Sequence, residues 1–279
     1  MRARRLACGF AAVALAASGG CGGDSGGQAP GKAARTAVPR PRLPAAQASR
    51  ELARAMASGD CRALFDVALH STKRNADLSR RSAPPSREEC ANLAAFARNF
   101  RGFRADGPTR VFGTAAVTDG HVRATPVAAV LVLDLDGRWK SAVLSGSYPQ
   151  AGSRAPAGNA FDANVARFVR AARADDCNEV FRLLALDSEV HTRTGGTRGP
   201  LCASLRKRPR DPRSFFTRLK ADPAAKPFPL GKTAEFAFYG LALKTGVYYT
   251  LFATRQPARV PVTPAHVRDA VYNWYLARE

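Results

Sequence analysis

The sequence predicts an α+β fold built from two tandem domains, each with helices followed by an antiparallel sheet. A helix start with a capping aspartate and a cysteine, SGDCRALFDVA at 58–68, returns as ADDCNEVFRLLA at 174–185. After each copy the hydrophobic pattern changes from helical spacing to the alternation typical of strands. With 279 residues and 46% hydrophobic content, the chain is long enough to fill two cores of ordinary size.

The first 21 residues have the layout of an export signal. Three arginines precede an apolar run that has the length of a signal-peptide h-region and is too short to span a bilayer. The sequence ASGGC at 17–21 resembles the lipobox of bacterial lipoproteins, which implies lipidation of Cys21 and anchoring to the cell membrane. Ser18 stands where the lipobox usually has leucine. Cleavage by the general signal peptidase near Ala17, which would give a secreted chain, is therefore the alternative.

Residues 22–45 are rich in glycine and proline and have no apolar periodicity, so we predict a disordered tether. No other stretch approaches the apolar length of a membrane-spanning helix, so the exported remainder is predicted to be soluble.

The first domain is predicted over 46–147 and begins with helices. Asp60 is placed to cap a helix, and Ser86 with Glu89 has the spacing of a capping box. Each start is followed by a cysteine and an apolar stripe at helical spacing, so both cysteines are predicted to face a shared core. The two stripes are Cys61, Leu64, Phe65 and Ala68, and Cys90, Leu93, Ala97 and Phe100.

Three antiparallel strands are predicted next, at 110–118, 121–135 and 138–144. Asp-Gly pairs at 119–120 and 136–137 separate them, and Asp-Gly between apolar alternations is the strongest short hairpin signal. One face of the middle strand is predicted to carry Val127, Ala129, Leu131, Leu133 and Leu135, and the opposite face Val130 and Val132.

A linker at 148–158 leads to a second, more degenerate domain at 159–279. Asp176 is the predicted cap, followed by a stripe of Cys177, Val180, Phe181 and Leu184. Strands are predicted at 233–243 and 247–255, joined across Gly246. Thr263 and Pro264 have the chemistry of a helix start, which predicts a terminal helix through Trp274 and an incomplete second sheet.

The cysteine count favours one disulfide in each domain. If Cys8 leaves with the signal and Cys21 takes lipid, an even set of four cysteines is left in an oxidising compartment. The repeat pairs Cys61 with Cys90 and Cys177 with Cys202. A redox role is disfavoured because no Cys-x-x-Cys spacing occurs. Spacing alone leaves a swapped connectivity, such as Cys61 with Cys177, open.

The first domain resembles the nuclear transport factor 2-like, or SnoaL-like, α+β cone. GDC at 59–61 and LDLDGRWKSAVL at 133–144 carry the resemblance, the latter as the closing hairpin with its tryptophan. It covers nearly all of 46–147 and implies a curved sheet that wraps helices around a pocket. Many bacterial lipoproteins have this fold, and its enzymes use an aspartate base deep in the pocket.

Catalytic chemistry has little support in the sequence. Asp119 and Asp136 are assigned to turns, and the second domain offers a possible pocket with Glu235, Tyr239 and Tyr248. Glu235 is either a buried carboxylate with a raised pKa or an edge-strand residue facing water. The four histidines, predicted on the surface or at caps, lack metal-ligand spacing, and we predict no metal and no cofactor.

The formal net charge is +21, and the densest basic cluster is RKRPRDPR at 206–213. It is interpreted as a solvated helix end, with weak attraction to an anionic envelope polymer or lipid as the alternative. Export removes nucleic acid as a partner, and the cluster lacks aromatic residues for base stacking. We therefore expect a noncatalytic envelope lipoprotein that acts as a ligand-binding or scaffolding module. The alternative is an extracytoplasmic SnoaL-like enzyme with a small apolar substrate.

Overall fold

The computed structural model describes residues 38–68, 83–145, 160–186, 188, 198–207, 212, 214–256 and 266–279. These residues belong to one compact unit. It is an α+β structure with two four-stranded antiparallel sheets, one in each half of the chain. Cys21, His70, His191 and the linker at 148–158 lie outside the described residues.

Each half contains helices followed by a meander of strands, in the sheet orders β1-β2-β3-β4 and β5-β6-β7-β8. The first half has α1 (Ala45–Ser58), α2 (Cys61–Val67), α3 (Arg87–Asn99), β1 (Phe103–Phe112), β2 (Ala115–Val122), β3 (Thr125–Leu133) and β4 (Trp139–Ser145). The second half has α4 (Phe161–Arg173), α5 (Cys177–Leu183), α6 (Arg198–Lys207), α7 (Phe215–Ala221), β5 (Phe228–Lys232), β6 (Phe236–Ala242), β7 (Tyr248–Arg255) and β8 (Asp269–Arg278).

The helix starts predicted at Asp60, Ser86 and Asp176 and both disulfides are confirmed. Asp60 accepts a hydrogen bond from the backbone N–H of Ala63, and Asp176 accepts one from Glu179. The capping box at the start of α3 is complete. The disulfides join Cys61 to Cys90 and Cys177 to Cys202, with Cα–Cα distances of 5.3 Å in both. Each half is therefore cross-linked within itself.

Two irregular features recur at matching places and show that the halves have one topology. Residues just after α2 and α5 form isolated parallel bridges to the last strand of their own sheet, Ala68 to Ser141 and Leu184 to Val271. The last strand pair of each sheet also contains a bulge at that point, which leaves Ala142 in β4 and Tyr272 in β8 as the extra residue.

The two sheets pack against each other, and the helices lie on their outer faces. One core lies between the helices and sheet of each half, and a third lies between the sheets. The alternation predicted for β3 is confirmed within the strand, because Val127, Ala129, Leu131 and Leu133 face the helices while Val130 and Val132 face the other sheet. Leu135 was predicted on the same face as Leu133, but it lies in the β3–β4 turn. The hydroxyls of Thr114 and Thr250 are 2.5 Å apart between the two halves.

The assignment of Asp119 and Gly120 to a turn is wrong. Both residues lie inside β2, and the chain turns instead at 113–114 and 123–124. Gly120 is needed for a close approach, because a Cβ there would lie 2.2 Å from the backbone oxygen of Arg104. The second Asp-Gly pair does form the β3–β4 turn, with Gly137 at a φ of 75°.

The terminal helix is also wrong, and the second sheet is complete. Residues 269–278 form β8, which pairs with β7 along its length. The spacing of Val267, Ala270, Val271 and Trp274 fits a helix, but the segment is rich in β-branched and aromatic residues and supplies the partner that β7 needs. The sequence also gave no signal for β5, which contains Pro229 and Gly231, or for α7.

Candidate functional site

The structure brings two of the three predicted pocket residues to one side of the second sheet. Tyr239 faces the core between helices and sheet, and Glu235 is half-buried immediately before β6. Because β6 lies between β5 and β7, Glu235 is not on an edge strand. Tyr248 lies on the opposite face, where its hydroxyl covers Gly240. The three side chains therefore do not line a common pocket.

Glu235 and Tyr239 belong to a polar cluster at the start of α4, which we call the α4 cluster. Its members are Asp162, Asn164, Glu235, Tyr239, Arg255 and Asp269. Asp269 is 5% exposed and accepts hydrogen bonds from Arg255 Nε at 2.8 Å and from the backbone N–H of Ala160 at 2.7 Å. The cluster thus ties the start of α4 to β7 and β8.

The remaining contacts close the cluster. Tyr239 donates its hydroxyl hydrogen to Asp162 Oδ1 at 2.6 Å, and Asn164 donates to the backbone oxygen of Asp269 at 2.7 Å. The Arg255 guanidinium lies 5.9 Å from the ring centre of Phe161, which is fully buried. Apart from Glu235, which interacts with Arg255 and Asp269 through charge alone, these groups are bonded to one another and to the start of the helix, so they hold α4 against the sheet.

Burial is the largest influence on the pKa values of Glu235 and Tyr239. It raises the pKa of Glu235, against the opposing attraction of Arg255, and the Asp269 charge raises it further. Burial also raises the pKa of Tyr239, and its hydrogen bond to Asp162 adds to the rise. Hydrogen bonding to Asp269 raises the pKa of Arg255.

In the described part of the first half, hydroxyl groups make the polar contacts between the first helix and the sheet. There a chain of hydroxyls connects α1 to the sheet, with Ser49 2.5 Å from Thr118 and Thr118 2.8 Å from Thr109. Asp119 pairs with Arg110 at 3.0 Å, and burial nevertheless raises its pKa. The described part of this half therefore offers an ion pair and a chain of hydroxyls.

The two described histidines are set in separate environments. His121 lies 2.5 Å from Asp106 in an ion-pair geometry. His266 is half-buried with its ring centre 5.2 Å from that of Phe181, and burial lowers its pKa. His266 is therefore partly exposed and packs one side of its ring on Phe181. Among the described residues, no group of three or more potential ligands could hold a metal ion.

An open groove of about 740 Å³ lies where the predicted tether joins the fold, and we call it the tether groove. Its walls come from residues 38–42, from the β3–β4 turn at 134–137 and from the end of β8 at 277–279. The backbone N–H of Arg42 donates to the Gly137 oxygen at 2.8 Å, and Trp139 Nε1 donates to the Leu43 oxygen at 3.0 Å. These bonds fix the first wall against the turn.

Both charge signs line the groove, but the side chains of its three acidic residues already have partners, and that of Asp134 accepts a hydrogen bond from the backbone N–H of Leu135. Glu279 pairs with Arg218 at 2.9 Å, and Asp136 lies 3.6 Å from Lys140. Arg40 and Arg42 are exposed and have no acidic side chain within 4 Å in the described part of the chain. The groove can therefore offer two guanidinium groups to an anion.

Sequence reasoning missed the tether groove because it placed residues 38–45 in a disordered tether. The alternation of proline and arginine in PRPRLP is typical of an extended segment, and the hairpin with Trp139 was the available signal for where it docks. Nothing in the local pattern indicates that the segment PRPRLP contacts the hairpin with Trp139.

Searches for relatives find none, since the chain matches no protein-family model, no curated protein and no solved structure. Within the described ranges, no helix combines the length and the apolar character needed to cross a membrane.

Proposed function

We propose that this chain is an exported envelope lipoprotein, held at the membrane through lipid on Cys21, whose folded part is a noncatalytic binding module. The two disulfides support folding in an oxidising compartment outside the cytoplasm. The lipobox-like sequence at 17–21 supports the anchor. Both halves have helices on one face of a four-stranded sheet, which supports assigning each to the nuclear transport factor 2-like cone.

The tether groove is the observation that carries the binding role. It is concave, open to solvent and lined by two exposed arginines whose charges have no described partner. In the α4 cluster the hydrogen-bond donors are already engaged, because those of Arg255, Asn164 and Tyr239 are bonded to acceptors of the protein. A ligand would therefore find guanidinium donors without an acidic partner at the groove, whereas the donors of the α4 cluster are already bonded to protein groups.

The anchor is tested by expressing the whole chain with its own leader in a bacterial host. We expect the protein in the membrane fraction, with a mass that includes a lipid increment and lacks the four hydrogens that two disulfides remove. Cys21→Ser is the matched control and should appear in the soluble extracytoplasmic fraction with the disulfides intact. A wild-type mass without lipid would overturn the anchor, and free thiols in that protein would overturn the compartment.

A SnoaL-like enzyme with a small apolar substrate has one observation in its favour, the raised pKa of Glu235. It requires an apolar cavity beside that carboxyl. The fluorescent probe ANS tests for one, and we expect the native protein not to bind it. Stoichiometric ANS binding to the native protein that changes with Glu235→Gln would favour the enzyme instead.

A further inference from the structure

We propose that the tether groove binds the phosphate-bearing headgroup of an anionic phospholipid in the membrane that anchors the chain. The proposal rests on the proposed function, because it takes the anchored surface to be the one that the groove meets. It deepens that function by naming the ligand class and the residues that recognise it. The argument has three steps, which concern the position of the groove, its charge and its apolar rim.

The groove lies at the point of the fold nearest to the anchor along the chain. Val38, the first residue of its wall, follows Cys21 by 17 positions. A chain of that length spans at most about 60 Å. Lipid on Cys21 would therefore hold the groove within that distance of the bilayer surface, which raises its effective concentration there.

The groove wall is fixed before a ligand arrives. The Arg42–Gly137 and Trp139–Leu43 hydrogen bonds hold the segment against the β3–β4 turn. Gly137 has a φ of 75°, and a Cβ there would lie 3.1 Å from Arg42 Cγ, so the turn and the arginine stem are in close contact. A wall that is held in place loses less conformational entropy when it binds.

The free charge of the groove is positive. Arg40 and Arg42 are exposed without a described acidic partner, whereas Glu279 and Asp136 are engaged with Arg218 and Lys140. Arginine presents a planar set of donors that matches phosphate oxygens, and each basic residue near an anionic leaflet adds about 1 kcal/mol to binding. Two such side chains on one short segment suit a phosphodiester headgroup.

The same segment also carries apolar side chains that face solvent. Val38 is 41% exposed and Leu43 is 37% exposed, and they are two of the four exposed large apolar residues in the described part of the chain. Basic and apolar side chains interleaved on one surface favour a membrane interface over a soluble polyanion, because only the bilayer offers both an anionic layer and an apolar layer below it.

The test uses the exported chain with Cys21→Ser, which has no lipid of its own, and measures co-sedimentation with vesicles. We expect binding to vesicles that contain phosphatidylglycerol, little binding to pure phosphatidylcholine, and weaker binding at high salt. Arg40→Gln with Arg42→Gln should weaken binding about 30-fold, the equivalent of roughly 1 kcal/mol for each arginine. Circular dichroism melts confirm that the variants fold.

Arg101→Gln with Arg104→Gln is the matched control. It removes the same charge from exposed positions beside the start of β1, at the end of the first sheet opposite to the β3–β4 turn. We expect it to change binding less than threefold. An equal loss in both double variants would overturn the proposal in favour of net charge, and an unchanged groove variant would overturn it outright.

A second arm measures glycerol 1-phosphate by titration calorimetry, and we expect no binding at millimolar concentrations. Tight binding that needs Arg40 and Arg42, without vesicle binding, would identify a soluble phosphate ester and overturn the lipid assignment. Because the test protein carries no lipid, a failure of anchoring in the mass experiment does not affect these outcomes. If anchoring holds and vesicles do not bind, only this inference fails.

Discussion

The two halves share a topology but hold their first helix in place by different chemistry. In the first half, Trp139 at the start of β4 donates one hydrogen bond to the backbone at Leu43. In the second half, Asp269 at the start of β8 accepts from Arg255 and from the backbone before α4. The bulges and bridges place Trp139 and Asp269 at equivalent positions. At equivalent positions of one topology, an indole thus makes the contact in the first half and an ion pair makes it in the second.

The hydrophobic cores of the two halves also differ in composition. The helix-facing core of the first half is built mainly from alanine, valine, leucine and methionine, whereas that of the second half contains many aromatic rings. Phe168 lies 5.5 Å from Trp274 and 6.3 Å from Phe215 between ring centres. The counterpart of Phe168 in the cysteine-aligned repeat is Leu52. We infer that the second half depends more on its large side chains.

The largest expected effect tests that inference. Phe168→Ala should lower the free energy of unfolding by about 4 kcal/mol, and Leu52→Ala by about 3 kcal/mol, because both side chains are buried and the larger one leaves the larger cavity. Urea denaturation followed by circular dichroism measures both. Since the sheets pack on each other, each variant should show one transition. An equal or larger loss of unfolding free energy in Leu52→Ala would contradict the inference that the second half depends more on its large side chains.

The disulfides should act alike in the two halves. The linked cysteines are 29 and 25 positions apart, and the chain-entropy model gives about 3.5 kcal/mol for either loop. Replacing both cysteines of one pair with serine, in the first or the second half, should therefore cost similar stability in urea unfolding. A loss confined to one pair would show that the halves differ in how they use their cross-links.

The different contacts of Trp139 and Asp269 predict that replacing them lowers the stability by unequal amounts. Asp269→Asn should cost about 3 kcal/mol because it leaves Arg255 without its buried partner. Trp139→Phe removes one neutral hydrogen bond and should cost about 1 kcal/mol. Thermal melts measure both. Asp66→Asn, which removes an exposed ion pair with Arg62, is the matched control and should cost less than about 0.5 kcal/mol.

The features of the fold that the sequence predicts are those that depend on residues close together in the chain. The caps, the cysteine-bearing helices and the faces of β3 depend on residues within one or two turns, so local spacing is sufficient for them. The segment 269–278 fits both periods, and only its pairing with β7 decides between helix and strand. The sequence around Gly120 likewise predicts a turn, whereas in the structure the backbone of Arg104 packs against this glycine within the sheet.

The two candidate sites depend on contacts between distant parts of the chain. The α4 cluster joins Ala160 to Asp269 across 109 positions, and the tether groove joins Leu43 to Trp139 across 96. A single sequence carries no signal for such pairs. Glu235 could be named because its alternation with Ala237 and Tyr239 is local, whereas the Arg255 and Asp269 charges that set its environment could not.

The smallest expected effect concerns the pH dependence of Glu235. Burial raises its pKa in the folded state above the ordinary value of 4.5, so the folded protein binds a proton more tightly than the unfolded chain. The stability that this proton provides is present below pH 4.5 and is lost as the pH rises through the folded pKa. Glu235→Gln does not titrate and resembles the protonated form. It should therefore match the wild type at pH 4 and exceed it at pH 7, by less than about 1 kcal/mol because the carboxyl is only half-buried. Urea unfolding at the two pH values measures the difference. A variant that is less stable than the wild type at pH 7 would mean that attraction to Arg255 outweighs burial, and the second half would then gain from this charge as it does from Asp269.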